Sequence, residues 1–269
     1  MELRIEGVDF SYSSVPVLHG VNVELDGPCF VSILGPNGVG KSTLIHCINK
    51  ILTPVRGTVF IDGEDVKDIS IRDLAKQVGY VPYSANDTFP LTVVDTVLMG
   101  RHPHSRWKSL DEDLDIVYRT LDMLGIADLA MRPFSDLSAG QHQKVMLARG
   151  LVQEPKILLL DEPTSNLDIK HQMEVTRILR NLSRVKGILV IMISHDINIA
   201  AKYSDKIIML REGTVYAVGT PEEVITADNI KAVYDVDSEI IESHGKPHII
   251  MLDAESESLN AGNPRQTES

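Results

Sequence analysis

The sequence, 269 residues long, predicts an α/β fold organised on a mostly parallel core sheet, on three observations. Short apolar runs of strand length (Ile157 to Leu160, Ile188 to Ile193, Lys206 to Leu210) alternate with helical patterns around Lys170 to Val185 and Ile197 to Lys202. Such alternation is the mark of parallel strands covered by helices. A strand-like run, Phe30 to Leu34, passes through a glycine-rich turn into a helical stretch from about Lys41 to Lys50. From Val93 to about Met131 apolar residues such as Leu114, Val117, Leu121 and Leu124 fall at helical spacing, with Gly125 ending that helix, so a helical insertion interrupts the sheet.

The other elements follow in order. Leu3 to Phe10 and Val21 to Leu25 read as strands before the glycine-rich turn, and Gly57 to Asp62 and Val78 to Val81 as strands after it. From Pro82 the chain enters a loop rich in Ser, Asn, Asp, Thr and Pro, a candidate boundary. Near the end, Thr220-Pro221 starts a helix, Asn229 to Tyr234 forms another, and Ser243-His244-Gly245-Lys246 turns a hairpin. Beyond Leu252 large apolar groups nearly vanish, and residues 253–269 are expected to form a disordered polar tail.

Composition excludes several classes. With 43% hydrophobic and 24% charged residues the bulk of the chain should fold. A net charge of -12 without a dense Lys/Arg stretch argues against a nucleic-acid partner, which needs a basic footprint. The apolar runs fall far short of the roughly 20 residues that span a bilayer, and charges at Glu2, Arg4, Glu6 and Asp9 are unlike a signal peptide. A cytoplasmic chain with at most a peripheral membrane role is expected. Cys29 and Cys47 have no metal-ligand or redox spacing and read as inert buried thiols.

Gly35-Pro36-Asn37-Gly38-Val39-Gly40-Lys41-Ser42, followed by Thr43, matches the phosphate-loop pattern G-x-x-x-x-G-K-[ST] between a strand and a helix. Glycines let backbone amides turn inward around phosphate oxygens, and the helix start adds its dipole. Lys41 reaches the outer phosphates and Ser42 can hold magnesium. A mere glycine-rich turn would not need these flanks, so a nucleotide is the expected ligand, with Mg2+. The run Ile157 to Leu160 ends in Asp161 and Glu162, where parallel sheets place their ligand crevice. Alternation along a strand predicts Asp161 facing magnesium and Glu162 facing the attacking water. The plainer alternative is a solvated strand end before Pro163.

Leu137-Ser138-Ala139-Gly140-Gln141 resembles the signature motif of ABC ATPases, and Ser138 reads as the N-cap of the following helix. The resemblance runs from about Leu3 to Leu252. It implies a P-loop NTPase of ABC type, residues 1–252, with an N-terminal antiparallel β subdomain and a helical subdomain inserted at about 84–150. It further implies that Ser138, Gly140 and Gln141 meet the ATP held by a second copy. Tyr12 lies where the family stacks an aromatic on adenine, Asp168 of Ser165-Asn166-Leu167-Asp168 where a loop communicates between subunits, and His195 where a switch histidine contacts the terminal phosphate. Each has a duller reading: a strand aromatic, a helix N-cap, a loop histidine. Catalysis is thus expected from Glu162, His195 and Lys41, and metal holding from Ser42 and Asp161. One position departs from the family: Tyr83 follows Val81-Pro82 where a glutamine is usual, and tyrosine lacks the amide carbonyl that would reach the metal.

A single nucleotide domain without spans looks like the separate ATPase subunit of an importer. The stretch from Phe89 to His104 and the ending Glu239-Ile240-Ile241-Glu242 are similar to importers of iron chelates, haem and cobalamin. The implied partners are a membrane permease, indirectly a substrate-binding protein, and a second copy, on the cytoplasmic face of the membrane. His102-Pro103-His104 is not read as a metal site, since no further ligand converges there; Arg101 to Trp107 is expected to be a surface at the edge of the helical subdomain, facing the permease. The rivals are a soluble ABC ATPase acting on DNA or ribosomes and a P-loop kinase of small molecules.

Overall fold

The computed structural model describes residues 1–83, 91–104 and 109–252; the expected tail at 253–269 and the stretch from Phe89 to Pro90 lie outside them. Strands β1 (Glu2–Tyr12), β2 (Val15–Asp26), β4 (Arg56–Ile61) and β5 (Glu64–Asp65) make an antiparallel sheet in the order β2-β1-β4-β5. A six-stranded sheet is formed by β3 (Phe30–Leu34), β6 (Val78–Val81), β7 (Ile157–Leu160), β8 (Leu189–Ile193), β9 (Lys206–Arg211) and β10 (Thr214–Gly219), in the order β10-β9-β3-β8-β7-β6. Its inner pairings are parallel, and only β10 joins antiparallel, at the edge. A hairpin of β11 (Ser238–Ser243) and β12 (Lys246–Met251) follows.

The continuous apolar runs of the inner strands are explained by burial on both faces. Ile157 and Leu159 of β7, with Leu189, Ile191 and Ile193 of β8, pack into a core shared with the antiparallel sheet. Their alternates Leu158, Leu160, Val190 and Met192 pack under helices on the other side. Alternation therefore partitions the side chains between two cores instead of between core and solvent.

The helices are α1 (Lys41–Ile48), α2 (Ile71–Gln77), α3 (Val93–Leu98), α4 (Leu110–Met123), α5 (Ala139–Leu151), α6 (Ile169–Lys186), α7 (Ile197–Tyr203), α8 (Pro221–Val224) and α9 (Ala227–Tyr234). The helical insertion expected from Val93 is built in pieces: α3 passes into a 3-10 segment, Met99–His104, that contains Pro103. A proline cannot donate the backbone bond a longer helix would need. In α4, Ser109 caps the start, and Gly125 follows the end at φ 65°, the left-handed conformation that glycine adopts without a Cβ penalty.

Arg101, expected on a surface facing the permease, is instead buried and fixes this insertion internally, because its charge is met by carboxylates and a carbonyl inside the fold. Its side chain is 1% exposed, with Nε 2.8 Å from Asp113 Oδ1 of α4 and one terminal nitrogen 2.9 Å from Glu154 Oε2 and 2.5 Å from the Val152 carbonyl, beyond α5. Cys29 and Cys47 are free and buried, and burial raises both thiols to a pKa of about 11.

Candidate nucleotide site

The loop between β3 and α1 is shaped by its glycines. Gly35 sits at φ 149°, and a Cβ there would fall 2.6 Å from the Leu210 carbonyl oxygen of β9. At Gly40, φ 104°, a Cβ would meet Leu18 Cδ2 at 2.7 Å. Neither position accepts a side chain without displacing the loop. Gly40 is also the residue at the start of α1, which receives no side-chain cap, leaving backbone donors and the positive end of the dipole for an anion. Lys41, 6% exposed, donates from Nζ to the Gly35 and Pro36 carbonyls at 2.8 Å each. Burial lowers its pKa, while Glu162 and Asp161 oppose that shift.

A cleft of about 280 Å³ is lined by Tyr12, Val17, Asn37, Gly38, Gly40, Lys41, Ser42, Thr43 and Glu162. Tyr12, 49% exposed at the end of β1, rests edge-on against Phe10, ring centroids 4.9 Å apart. Its free face suits stacking. Val17 was not singled out from the sequence; it enters because β2 reaches back to Val15, beyond the expected start at Val21.

Asp161 stands behind Ser42, whose hydroxyl donates to Asp161 Oδ1 at 3.0 Å. The carboxyl is 7% exposed, and burial raises its pKa against the Ser42 hydrogen bond that lowers it. A buried carboxylate beside a hydroxyl offers two hard oxygens and wants a cation, a donor set that fits Mg2+ completed by phosphate and water oxygens. His46 and Tyr80, joined Nε2 to hydroxyl at 3.0 Å, lie close enough for both to act electrostatically with Asp161. No sequence signal identifies that pair.

Both acids lie past the end of the strand, so the alternation expected to separate them does not itself orient them. β7 ends at Leu160, and Glu162 occupies the left-handed region at φ 49° immediately before Pro163. That conformation is costly for a non-glycine residue. Ser165 Oγ donates to Glu162 Oε2 at 3.0 Å, and His195 Nε2 lies 2.5 Å from Glu162 Oε1. His195 follows β8 directly before Asp196, the N-cap of α7.

Ser138, Gly140, Gln141 and Asp168 do not line the cleft. Ser138 caps α5 in a capping box, accepting from Gln141 N at 3.4 Å while Gln141 Oε1 accepts from Ser138 N at 3.1 Å. The Gln141 side chain is thereby engaged within its own helix start. Asp168 caps α6 and accepts from both the backbone and Nδ1 of His171, which hold its carboxyl below the usual range. A Cβ on Gly140 would fall 2.5 Å from His171 Cδ2, so the α5 start and the first turn of α6 are in direct contact. Tyr83, 48% exposed just past β6, lies outside the cleft lining.

Residues 18–165 match the family model described as ABC transporter. An uncharacterized ABC transporter ATP-binding protein of Methanocaldococcus jannaschii is 49% identical over 252 residues, covering 94% of this chain and 98% of that protein. The ferric enterobactin transport ATP-binding protein FepC of Escherichia coli is 36% identical over 256 residues, covering 93% of this chain and 94% of its own. Among solved structures, the ATP-binding cassette MJ0796, dimeric in a post-hydrolysis state with ADP and Pi, superimposes with a TM-score of 0.71 at 29% identity, over 81% of this chain and 98% of that one.

Proposed function

The chain belongs to the ABC transporter ATP-binding family, whose members hydrolyse ATP, and from that premise we propose that it powers an importer through a separate membrane permease. The cargo is proposed to be an iron chelate (siderophore), haem or cobalamin. The supporting observation is the likeness to FepC, which extends over nearly the whole of both chains. No helix among the described residues is long and apolar enough to cross a membrane. Residues 1–252 are taken as the ATPase unit, with the helices of about 84–150 inserted to meet the permease at the cytoplasmic face.

In this reading the loop from Gly35 to Thr43 cradles the phosphates, Lys41 exchanges its carbonyl partners for phosphate oxygens, and Tyr12 stacks on the base. Ser42 and Asp161 hold Mg2+, which when bound neutralises charge on the phosphates. Glu162 takes a proton from water as the water oxygen forms its bond to the terminal phosphorus and the bond to ADP breaks. His195 holds Glu162 in position and faces the same phosphate. A small open cleft is half of a site. The α5 start of a second copy, at Ser138 and Gly140, completes it, with Asp168 near the junction, so ATP binding closes the pair and hydrolysis reopens it.

The test is affinity purification of the Glu162→Gln chain from detergent-solubilised native membranes with magnesium and ATP. Recovery of an integral membrane partner, whose presence stimulates ATP hydrolysis by the parent chain in response to one of the proposed cargoes, is expected. Recovery of ribosomal or DNA-bound proteins instead would refute the importer assignment.

A further inference from the structure

A second cleft, of about 790 Å³, opens between α6, α7 and the β11–β12 hairpin, within the usual range of small-molecule pockets. It shares no lining residue with the nucleotide cleft. α6 contributes Met173 and Arg180, α7 contributes Ile199 and Lys202, and the hairpin contributes His244 and His248. Among the described residues no carboxylate lines it, although the chain as a whole carries a net charge of -12. Lys246, also in the lining, is already paired with Glu222 at 2.8 Å. Arg180 is different: it lines the cleft with no carboxylate partner among the described residues, and because its Nε is shut off from solvent, an anion in the cleft would meet the guanidinium through its terminal nitrogens. Lys202 Nζ lies 5.5 Å from the Tyr203 ring centroid, leaving its charge available to an anion.

We propose that this cleft binds a small soluble anion with an apolar body, its carboxylate, phosphate or sulfonate held by Arg180 and Lys202 and its body against Met173 and Ile199. Occupation braces the hairpin against α7 and thereby adjusts ATP turnover. The connection is short: Asn198 of α7 exchanges two hydrogen bonds with Ile249 of β12, at 2.8 and 3.2 Å, and α7 begins two residues after His195, with its cap Asp196 between them.

The probe is 8-anilinonaphthalene-1-sulfonate, titrated by fluorescence into the full chain. One site per chain is expected, not displaced by magnesium ATP. Arg180→Gln and Lys202→Gln should each weaken it at least about tenfold, as loss of a charge-assisted hydrogen bond implies. Uncharged N-phenyl-1-naphthylamine should bind at least about tenfold more weakly than the sulfonate. Unchanged binding in both variants, displacement by ATP, or equal binding of the neutral compound would overturn the site. A fluorescent ATP analogue should bind both variants as it binds the parent chain, which excludes unfolding as the cause. Saturating probe should change ATP turnover at least about twofold in the parent chain and not in Arg180→Gln; turnover indifferent to a saturated cleft would overturn the regulatory role.

Discussion

His195 Nε2 lies 2.5 Å from Glu162 Oε1, so the loop after β8 reaches across to the turn after β7 and meets a carboxylate whose backbone is already strained. With Ser165 on its other oxygen, Glu162 is held by two side chains from different loops. Glu162→Gln should lower the single-turnover rate of phosphate release by at least about a hundredfold, the scale of a lost general base, while a fluorescent ATP analogue binds within a few-fold of the parent. Hydrolysis within tenfold of the parent would remove Glu162 from that role.

Gly140 and His171 form a contact with no room for a methyl group. Gly140→Ala should cost about 1–3 kcal/mol through overpacking and should reduce ATP turnover by displacing the α5 start. Adding His171→Ala should recover most of the stability. Chemical denaturation of the two single variants and the double variant measures the coupling; additive effects would show that the two residues do not press on each other.

How much of this was legible beforehand depends on burial and on sequence distance. β3, β6 and β7 match the expected runs residue for residue, because strands in the interior of the fold are mostly apolar, with β7 apolar throughout, and end at turn residues. β10 escaped notice: its side chains alternate between intermediate and exposed, and it pairs along one edge only. α2 buries Leu74 alone, so no apolar stripe announces it. The phosphate loop is contiguous and readable. The left-handed turn at Glu162 is a local exception in a residue type that rarely adopts it, while the partner of His195 and the neighbour of Gly140 are tertiary facts between residues far apart in the chain, with no local pattern to reveal them.

Asp161 carries a pKa raised by burial above the ordinary 3.8. Its proton therefore competes with Mg2+ up to a higher pH than for a solvated aspartate. Mg2+-dependent ATP affinity should weaken as pH falls toward that raised value and recover on return to neutrality. Titrations of magnesium at several pH values check this, with Asp161→Asn as the reference that keeps only the nucleotide's own titration. Identical pH profiles in the two chains would exclude Asp161 as the group responsible.

Arg101 is buried with Asp113 beside it and Glu154 at its outer end. Arg101→Leu strands the Asp113 charge and should destabilise the fold by about 3–5 kcal/mol, a drop in Tm of roughly 10 °C for a domain of this size. Arg101→Lys should recover only part of it, because one ammonium cannot reproduce the forked donors. Thermal unfolding followed by circular dichroism distinguishes these outcomes.

Tyr83 stands half-exposed at the exit of β6. Tyr83→Gln introduces the amide carbonyl that the tyrosine lacks and should raise or retune magnesium-dependent turnover by a few-fold. Steady-state rates across a magnesium series test it; coincident curves for the two chains would mean that this position does not communicate with the metal.

The buried thiols have a practical consequence. Maleimides and iodoacetamides react with thiolate, and Cys29 and Cys47 are both shielded and held protonated at neutral pH. For site-directed labelling the native chain therefore behaves as though it were free of cysteine. A spin label or fluorophore can be attached through one new cysteine, for instance in place of exposed Ile250 on the hairpin, without first mutating the core. Distances between labels on two copies could then be followed through successive rounds of turnover in an otherwise native molecule.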